Sequence, residues 1–197
     1  MFRCVRGPAP ALFERYGEEV GRSYAERRAA DPAYRFQWPQ RDGMSLGDAA
    51  RLALLAMTEG RCSYCDGAPL DTSKIDHFRP KGRLEFYRLV CDWSNLFIAC
   101  DGCNQAKREQ WDDDLLRPDE PDFEFDRYFW FVADSGELVP NPGASVDDQQ
   151  RACRTIAIME LNRPTRCSDR AQWWRLRRVG LAAEAITDAP YRFLAAT

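Results

Sequence analysis

Four of the eight cysteines fall into two C-x-x-C units, Cys62-Ser63-Tyr64-Cys65 and Cys100-Asp101-Gly102-Cys103, with 34 residues between them. A tight turn in such a unit brings two thiols to one side, so each unit supplies half of a tetrahedral site. Gly102 in the second turn, and Asp66-Gly67 after the first, suit turns with unusual backbone angles. Four thiolates on one Zn²⁺ leave no position for water. The implied metal is therefore structural, and its binding energy is folding energy. A thioredoxin-like redox role needs a single unit in a βαβ context, which this pattern lacks. Cys4, Cys91, Cys153 and Cys167 have no such spacing and read as small buried hydrophobes or incidental thiols.

His77 is the only histidine. That count excludes a three-His zinc site and a His-Glu-x-x-His protease helix. Any imidazole base must be His77. It lies between the cysteine units, in Lys74-Ile75-Asp76-His77-Phe78-Arg79-Pro80-Lys81, with Arg83 just beyond. The cations suit phosphate, the Asp76 carboxylate suits a hard cation, and a neutral imidazole can take a proton from water. Downstream run Trp93-Ser94-Asn95-Leu96 and Cys103-Asn104-Gln105-Ala106-Lys107. An asparagine carbonyl is a further oxygen ligand suited to Mg²⁺.

The flanking elements must position these groups. Residues Pro10 to Ala30 read as a polar helix anchored by Leu12, Phe13, Tyr16, Val20 and Tyr24. Asp31 to Gly43, with Pro32 and Pro39, reads as a loop. Ser45 caps a second helix, Asp48 favours its dipole, and Gly60 stops it. Leu52, Leu55 and Met57 make that helix strongly apolar. Glu109 to Glu137 holds eleven acidic residues against Arg117 and Arg127. Within it, Phe123 to Val132, a turn at Ser135-Gly136, and Glu137 to Val139 predict a hairpin. Helices are predicted from Asp147 to Leu161 and from Ser168 to Ile186. They carry Arg151, Arg154, Arg163, Arg166, Arg170, Arg175, Arg177 and Arg178, which form either a solvated face or a phosphate-contacting one.

The 197 residues are 45% hydrophobic and 30% charged, which describes an ordinary globular chain with one sizeable core. The net charge of −3 argues against a uniformly basic coat for nucleic acid. No apolar run approaches the ~18 residues of a membrane span, and the N-terminus lacks the apolar core of a secretory signal. A cytoplasmic location is the resulting expectation.

The order C-x-x-C, Asp-His-x-x-Pro-Lys, Trp-x-Asn-Leu, C-x-x-C-Asn-x-x-Lys resembles the zinc-containing HNH endonucleases. The resemblance implies an α+β fold with a ββα-metal (HNH) core and a Cys4 zinc site, flanked by N- and C-terminal helices. It implies a hairpin carrying Asp76-His77 and a helix starting near Cys103. His77 is then the general base, Asp76 and Asn104 hold a catalytic Mg²⁺ or Mn²⁺, and Asn95 orients the loop and the base. Arg79, Lys81, Arg83 and Lys107 are the expected nucleic-acid contacts. Cys62, Cys65, Cys100 and Cys103 hold structural Zn²⁺. The corresponding segments are 1–58 (helical), 59–112 (core) and 113–197 (acidic hairpin and Arg-rich helices), forming one compact unit.

Pro8-Ala9-Pro10-Ala11-Leu12, the Ile75 to Lys81 run and Leu161-Asn162 are similar to HNH proteins of Septu-type and retron-associated anti-phage systems. That resemblance implies a separate ABC/SMC-like ATPase partner; this chain has no G-x-x-x-x-G-K-[ST] loop of its own, so any nucleotide hydrolysis would need a partner. The activity so implied is metal-dependent hydrolysis of nucleic acid, with DNA favoured. The alternative is a non-catalytic zinc module that binds protein or nucleic acid. It would not need Asp76, His77 and Asn104 together. A nuclease silent until its partner engages would have the same sequence.

Overall fold

A computed structural model describes residues 1–67, 73–179 and 189–195. The centre is an antiparallel strand pair, β3 (Lys74–His77) and β4 (Leu96–Ala99), followed directly by helix α3 (Asp101–Lys107). The register pairs Asp76 with Phe97 and His77 with Leu96. Side chains alternate across a strand, so each strand of the pair feeds two cores. Leu96 and Ile98 join the N-terminal helices, whereas Phe97 and Ala99 join the cysteine units and the C-terminal half.

The N-terminal core rests on α1 (Ala11–Ala30) and α2 (Leu46–Thr58), with the small ribbon β1 (Gln40–Arg41) and β2 (Met44–Ser45) between them. Ser45 caps α2 by accepting from the Gly47 N–H at 3.1 Å, and Glu59 and Gly60 end it with positive φ. α1 packs on the 3₁₀ segment Leu84–Cys91. Gly17 and Gly21 permit this contact. A Cβ on Gly17 would sit 2.9 Å from the Cys91 carbonyl oxygen, and one on Gly21 would run into the Arg88 carbonyl. Any side chain there would force helix and segment apart.

The C-terminal half holds the short helix α4 (Phe125–Tyr128), the hairpin β5 (Phe129–Val132) and β6 (Glu137–Pro140), α5 (Val146–Ile158) and α6 (Pro164–Arg178). The predicted strand over 123–132 is shorter than expected, because 125–128 form a helical turn that turns Phe125 and Tyr128 inward. Helix α6 starts four residues earlier than predicted, with Pro164 in its first turn, where a missing N–H costs nothing. Its predicted extension to Ile186 lies partly outside the described residues.

Ion pairs join the acidic stretch to α5. Arg151 pairs with Glu120 at 2.6 Å, Arg154 with Asp112 at 2.9 Å, and Arg127 with Asp148 at 3.1 Å. These contacts pair Arg151 and Arg154 with the acidic segment, whereas Arg175 and Arg178 of α6 stay exposed. Among the described residues, no helix is long and apolar enough to cross a membrane. The architecture is mixed α+β, built from small two-stranded sheets.

Candidate active site beside a tetrathiolate cluster

The two C-x-x-C turns converge. Ligand sulfurs of Cys62, Cys65, Cys100 and Cys103 all lie within 4.8 Å of one another. Bonds of ~2.3 Å at tetrahedral angles would set sulfurs about 3.8 Å apart, and Cys65 and Cys100 Sγ are 3.9 Å apart. The cluster can therefore hold one metal ion such as zinc. Two anchors support it. The Ser63 N–H donates to the Ile98 carbonyl, and Cys100 caps α3 by accepting from the Cys103 N–H. Arg166 of α6 brings a guanidinium Nη2 3.2 Å from Cys100 Sγ, a cation suited to the net negative charge of a metal tetrathiolate. Of the remaining cysteines, Cys4, Cys91 and Cys167 are buried and Cys153 is exposed.

His77 ends β3 on the face of the N-terminal core. Its ring stacks on Trp38 at 5.9 Å and meets Phe36 edge-on at 6.1 Å. His77 Nε2 lies 3.0 Å from the Val90 carbonyl oxygen. That oxygen only accepts, so Nε2 carries the proton and Nδ1 keeps its lone pair. Burial, with Lys81 and Lys107 nearby, pushes the imidazolium pKa down to about 3 despite the favourable Val90 contact. The ring is held neutral.

Asn95 fastens the backbone on both sides of this contact. Its Oδ1 accepts from the Arg79 N–H at 2.8 Å, and its Nδ2 donates to the carbonyls of Arg79 at 3.0 Å and Leu89 at 3.1 Å. Arg79 lies two residues past His77, and Leu89 one before Val90. Asn95 thus fixes the imidazole and its acceptor relative to each other. From outside, Arg6 donates to the carbonyls of Trp93 and Leu96 and pairs with Asp119 at 2.6 Å.

Asp76 faces the opposite way, towards the cysteine cluster. Its Oδ2 accepts from the Tyr64 hydroxyl at 2.6 Å, and Lys107 Nζ lies 3.1 Å from the same oxygen. Lys107 also donates to the His77 carbonyl at 2.7 Å. Burial raises the Asp76 carboxyl and lowers the Lys107 ammonium, and their attraction offsets part of both shifts. Lys107 was expected among the nucleic-acid contacts, and that expectation is corrected. Its side chain is 0% exposed. α3 turns this position towards the strand pair, where the ammonium is the counter-ion of Asp76.

A cleft of about 310 Å³ brings the remaining groups together. Asp76, His77, Lys81, Asn104 and Arg108 are among the residues that line it. Asn104 stands half-buried on α3, beside the ends of the strands. Arg79 is exposed, and Lys81 and Arg83 are half-buried, so all three reach solvent. A carboxylate and an amide oxygen are donors of the type a hard cation takes. A carboxylate has about four lone-pair positions. Tyr64 and Lys107 occupy part of this capacity, and the Asn104 amide adds another oxygen. Sequence spacing alone did not reveal Tyr64, Val90 or Trp38. Only the Tyr64 position within a C-x-x-C turn could have drawn notice.

No family model matches the chain. It is similar to the Septu protein PtuB of Bacillus mycoides (strain KBAB4), 30% identical over 77 residues, covering 32% of this chain and 26% of that protein. It is also similar to the Septu protein PtuB of Bacillus thuringiensis, 38% identical over 60 residues, covering 29% of this chain and 23% of that protein. The chain thus spans about a quarter of the length of these curated relatives.

Proposed function

We propose that this protein is a metal-dependent endonuclease of anti-phage defence that hydrolyses phosphodiester bonds at the His77 cleft. One observation carries the reading. The only imidazole is bound through Nε2 to the Val90 carbonyl, which leaves Nδ1 unprotonated, in a cleft that also presents Asp76, Asn104 and cationic side chains. Non-catalytic zinc modules have no need for a desolvated, tautomer-fixed histidine there.

Asp76 and Asn104 would hold a Mg²⁺ or Mn²⁺ ion, which supplies positive charge at the scissile phosphate. His77 Nδ1 removes a proton from a water aligned with phosphorus. The new P–O bond forms as the bond to the 3′ oxygen breaks, and that oxygen leaves to be protonated by solvent. Arg79, Lys81 and Arg83 draw the nucleic-acid backbone to the cleft. The cluster of Cys62, Cys65, Cys100 and Cys103, with zinc bound, would fix the strand pair and α3 and take no part in the chemistry. Similarity to the Septu proteins supports the defence role, and an ABC/SMC-like ATPase is the proposed partner.

The test is nicking of plasmid DNA, with single-stranded DNA and RNA alongside, in Mg²⁺ or Mn²⁺. It is run with the protein alone and with the proposed ATPase partner. Cleavage that needs the divalent ion and His77 supports the reading, and cleavage only in the mixture adds control by the partner. No cleavage of any substrate under either condition would overturn it, leaving the zinc-module reading.

A further inference from the structure

One side chain from the first cysteine unit and one from the helix that starts in the second reach Asp76. Tyr64 sits between Cys62 and Cys65, is fully buried, and donates its hydroxyl to Asp76 Oδ2 at 2.6 Å. Lys107 follows Cys103 by one helical turn and approaches the same carboxylate at 3.1 Å. The Tyr64 ring packs on Phe97, the strand partner of Asp76, with centroids 5.8 Å apart. A phenylalanine would fill this space equally well. The hydroxyl adds only the bond to the carboxylate, and a buried phenol needs such a partner.

We propose that Tyr64 is a positioning residue that couples the tetrathiolate cluster to the hydrolytic cleft. Metal binding closes the Cys62–Cys65 turn, the closed turn fixes the phenol, and the phenol holds the Asp76 carboxylate in the rotamer that presents its free lone pairs to the cleft cation. The ion in the cluster then sets the cleft's affinity for its own ion without touching it. This inference rests on the nuclease reading, because it needs a cation held by Asp76. Groups that orient a ligating carboxylate typically contribute 10–100-fold in metal affinity, and coupling between two sites acts in both directions.

The experiment compares zinc-loaded parent and Tyr64→Phe protein. It reads zinc per chain, melting temperature, Mn²⁺ binding by the electron paramagnetic resonance signal of the free ion, and cleavage as a function of Mn²⁺. Asp76→Asn identifies the Mn²⁺ bound at the cleft. Tyr64→Phe should keep its zinc and raise the Mn²⁺ dissociation constant about tenfold or more. Saturating Mn²⁺ should restore most of its cleavage, which a general packing defect would not allow. Loss of zinc by this variant would report folding instead, so the parent with cadmium in place of zinc is measured as well. The larger ion widens the turn and should also weaken Mn²⁺ binding. Unchanged Mn²⁺ affinity in both samples overturns the coupling while leaving the nuclease reading intact. A parent that neither cleaves nor binds Mn²⁺ through Asp76 overturns both.

Discussion

The imidazole of His77 donates from Nε2 to the Val90 carbonyl oxygen at 3.0 Å, and this single contact decides which ring nitrogen is basic. Val90 belongs to the 3₁₀ segment that lies against α1, so the choice of tautomer is made by backbone outside the strand pair. A general base needs its proton on the far nitrogen and a ring that does not rotate. The stacked Trp38 and the edge-on Phe36 supply the second condition.

His77→Ala removes every imidazole in the chain. Cleavage should fall roughly 10²–10⁴-fold, the usual contribution of a positioned base. Circular dichroism and a cooperative thermal melt should show a folded protein with zinc retained. A folded His77→Ala protein cutting at the parental rate would remove the assignment.

Lys107→Ala should behave as a core mutation. It leaves the Asp76 carboxylate buried with its counter-ion gone, a change of about 3–5 kcal/mol. Urea denaturation measures this directly. Lys81→Ala, at a half-buried position that reaches solvent, should instead leave stability nearly unchanged. It should reduce the salt slope of nucleic-acid binding by about one. Equal stability of the two variants would contradict the burial of Lys107.

Asn95→Ala deletes one acceptor and two donated hydrogen bonds. The Arg79 N–H and carbonyl then lose their partners, while the Leu89 carbonyl keeps the Asp92 N–H, and a loss of about 2–4 kcal/mol follows. Asn95→Asp keeps the acceptor for the Arg79 N–H but turns a carboxylate oxygen on the carbonyls of Arg79 and Leu89. It should be at least as unstable as the alanine variant, and both should cleave more slowly because His77 and Val90 are no longer held together. Chemical denaturation and rates at saturating Mn²⁺ test the two effects separately.

Asp119 offers a pH-dependent readout. Burial alone would raise its carboxyl, but the guanidiniums of Arg117 and Arg6 more than offset this and hold it below the ordinary range. The folded value lies under the unfolded value of about 4. The resulting stability is fully present above that value and is lost as pH falls through the depressed folded value. Asp119→Asn should be less stable than the parent at pH 7, and the difference should narrow on acidification below about pH 4. A constant difference across urea titrations from neutral to strongly acidic pH would exclude this linkage.

Features written in local spacing were legible in the sequence. Cys62 and Cys65 share one turn, as do Cys100 and Cys103, and the capping of α2 by Ser45 lies within one helical turn. The contacts that tune the site were not legible. Val90 lies 13 residues from His77, and Trp38 reaches the ring from the loop before β1, far from it in sequence. Lys107 illustrates the limit. Its charge suggested a phosphate contact, but strand pairing and the direction of α3 decided its surroundings, and neither is encoded within a few residues of it.

The glycine pair on α1 changes what counts as the smallest unit that could carry the proposed chemistry. Gly17 and Gly21 let α1 lie directly on the backbone around Arg88 and Cys91, next to the carbonyl that orients His77. A fragment trimmed to the strands, α3 and the cysteine turns would retain every proposed ligand and the base itself. It would lack the wall against which the base is set. Grafting this centre into another scaffold therefore requires transplanting the first helix along with the motif.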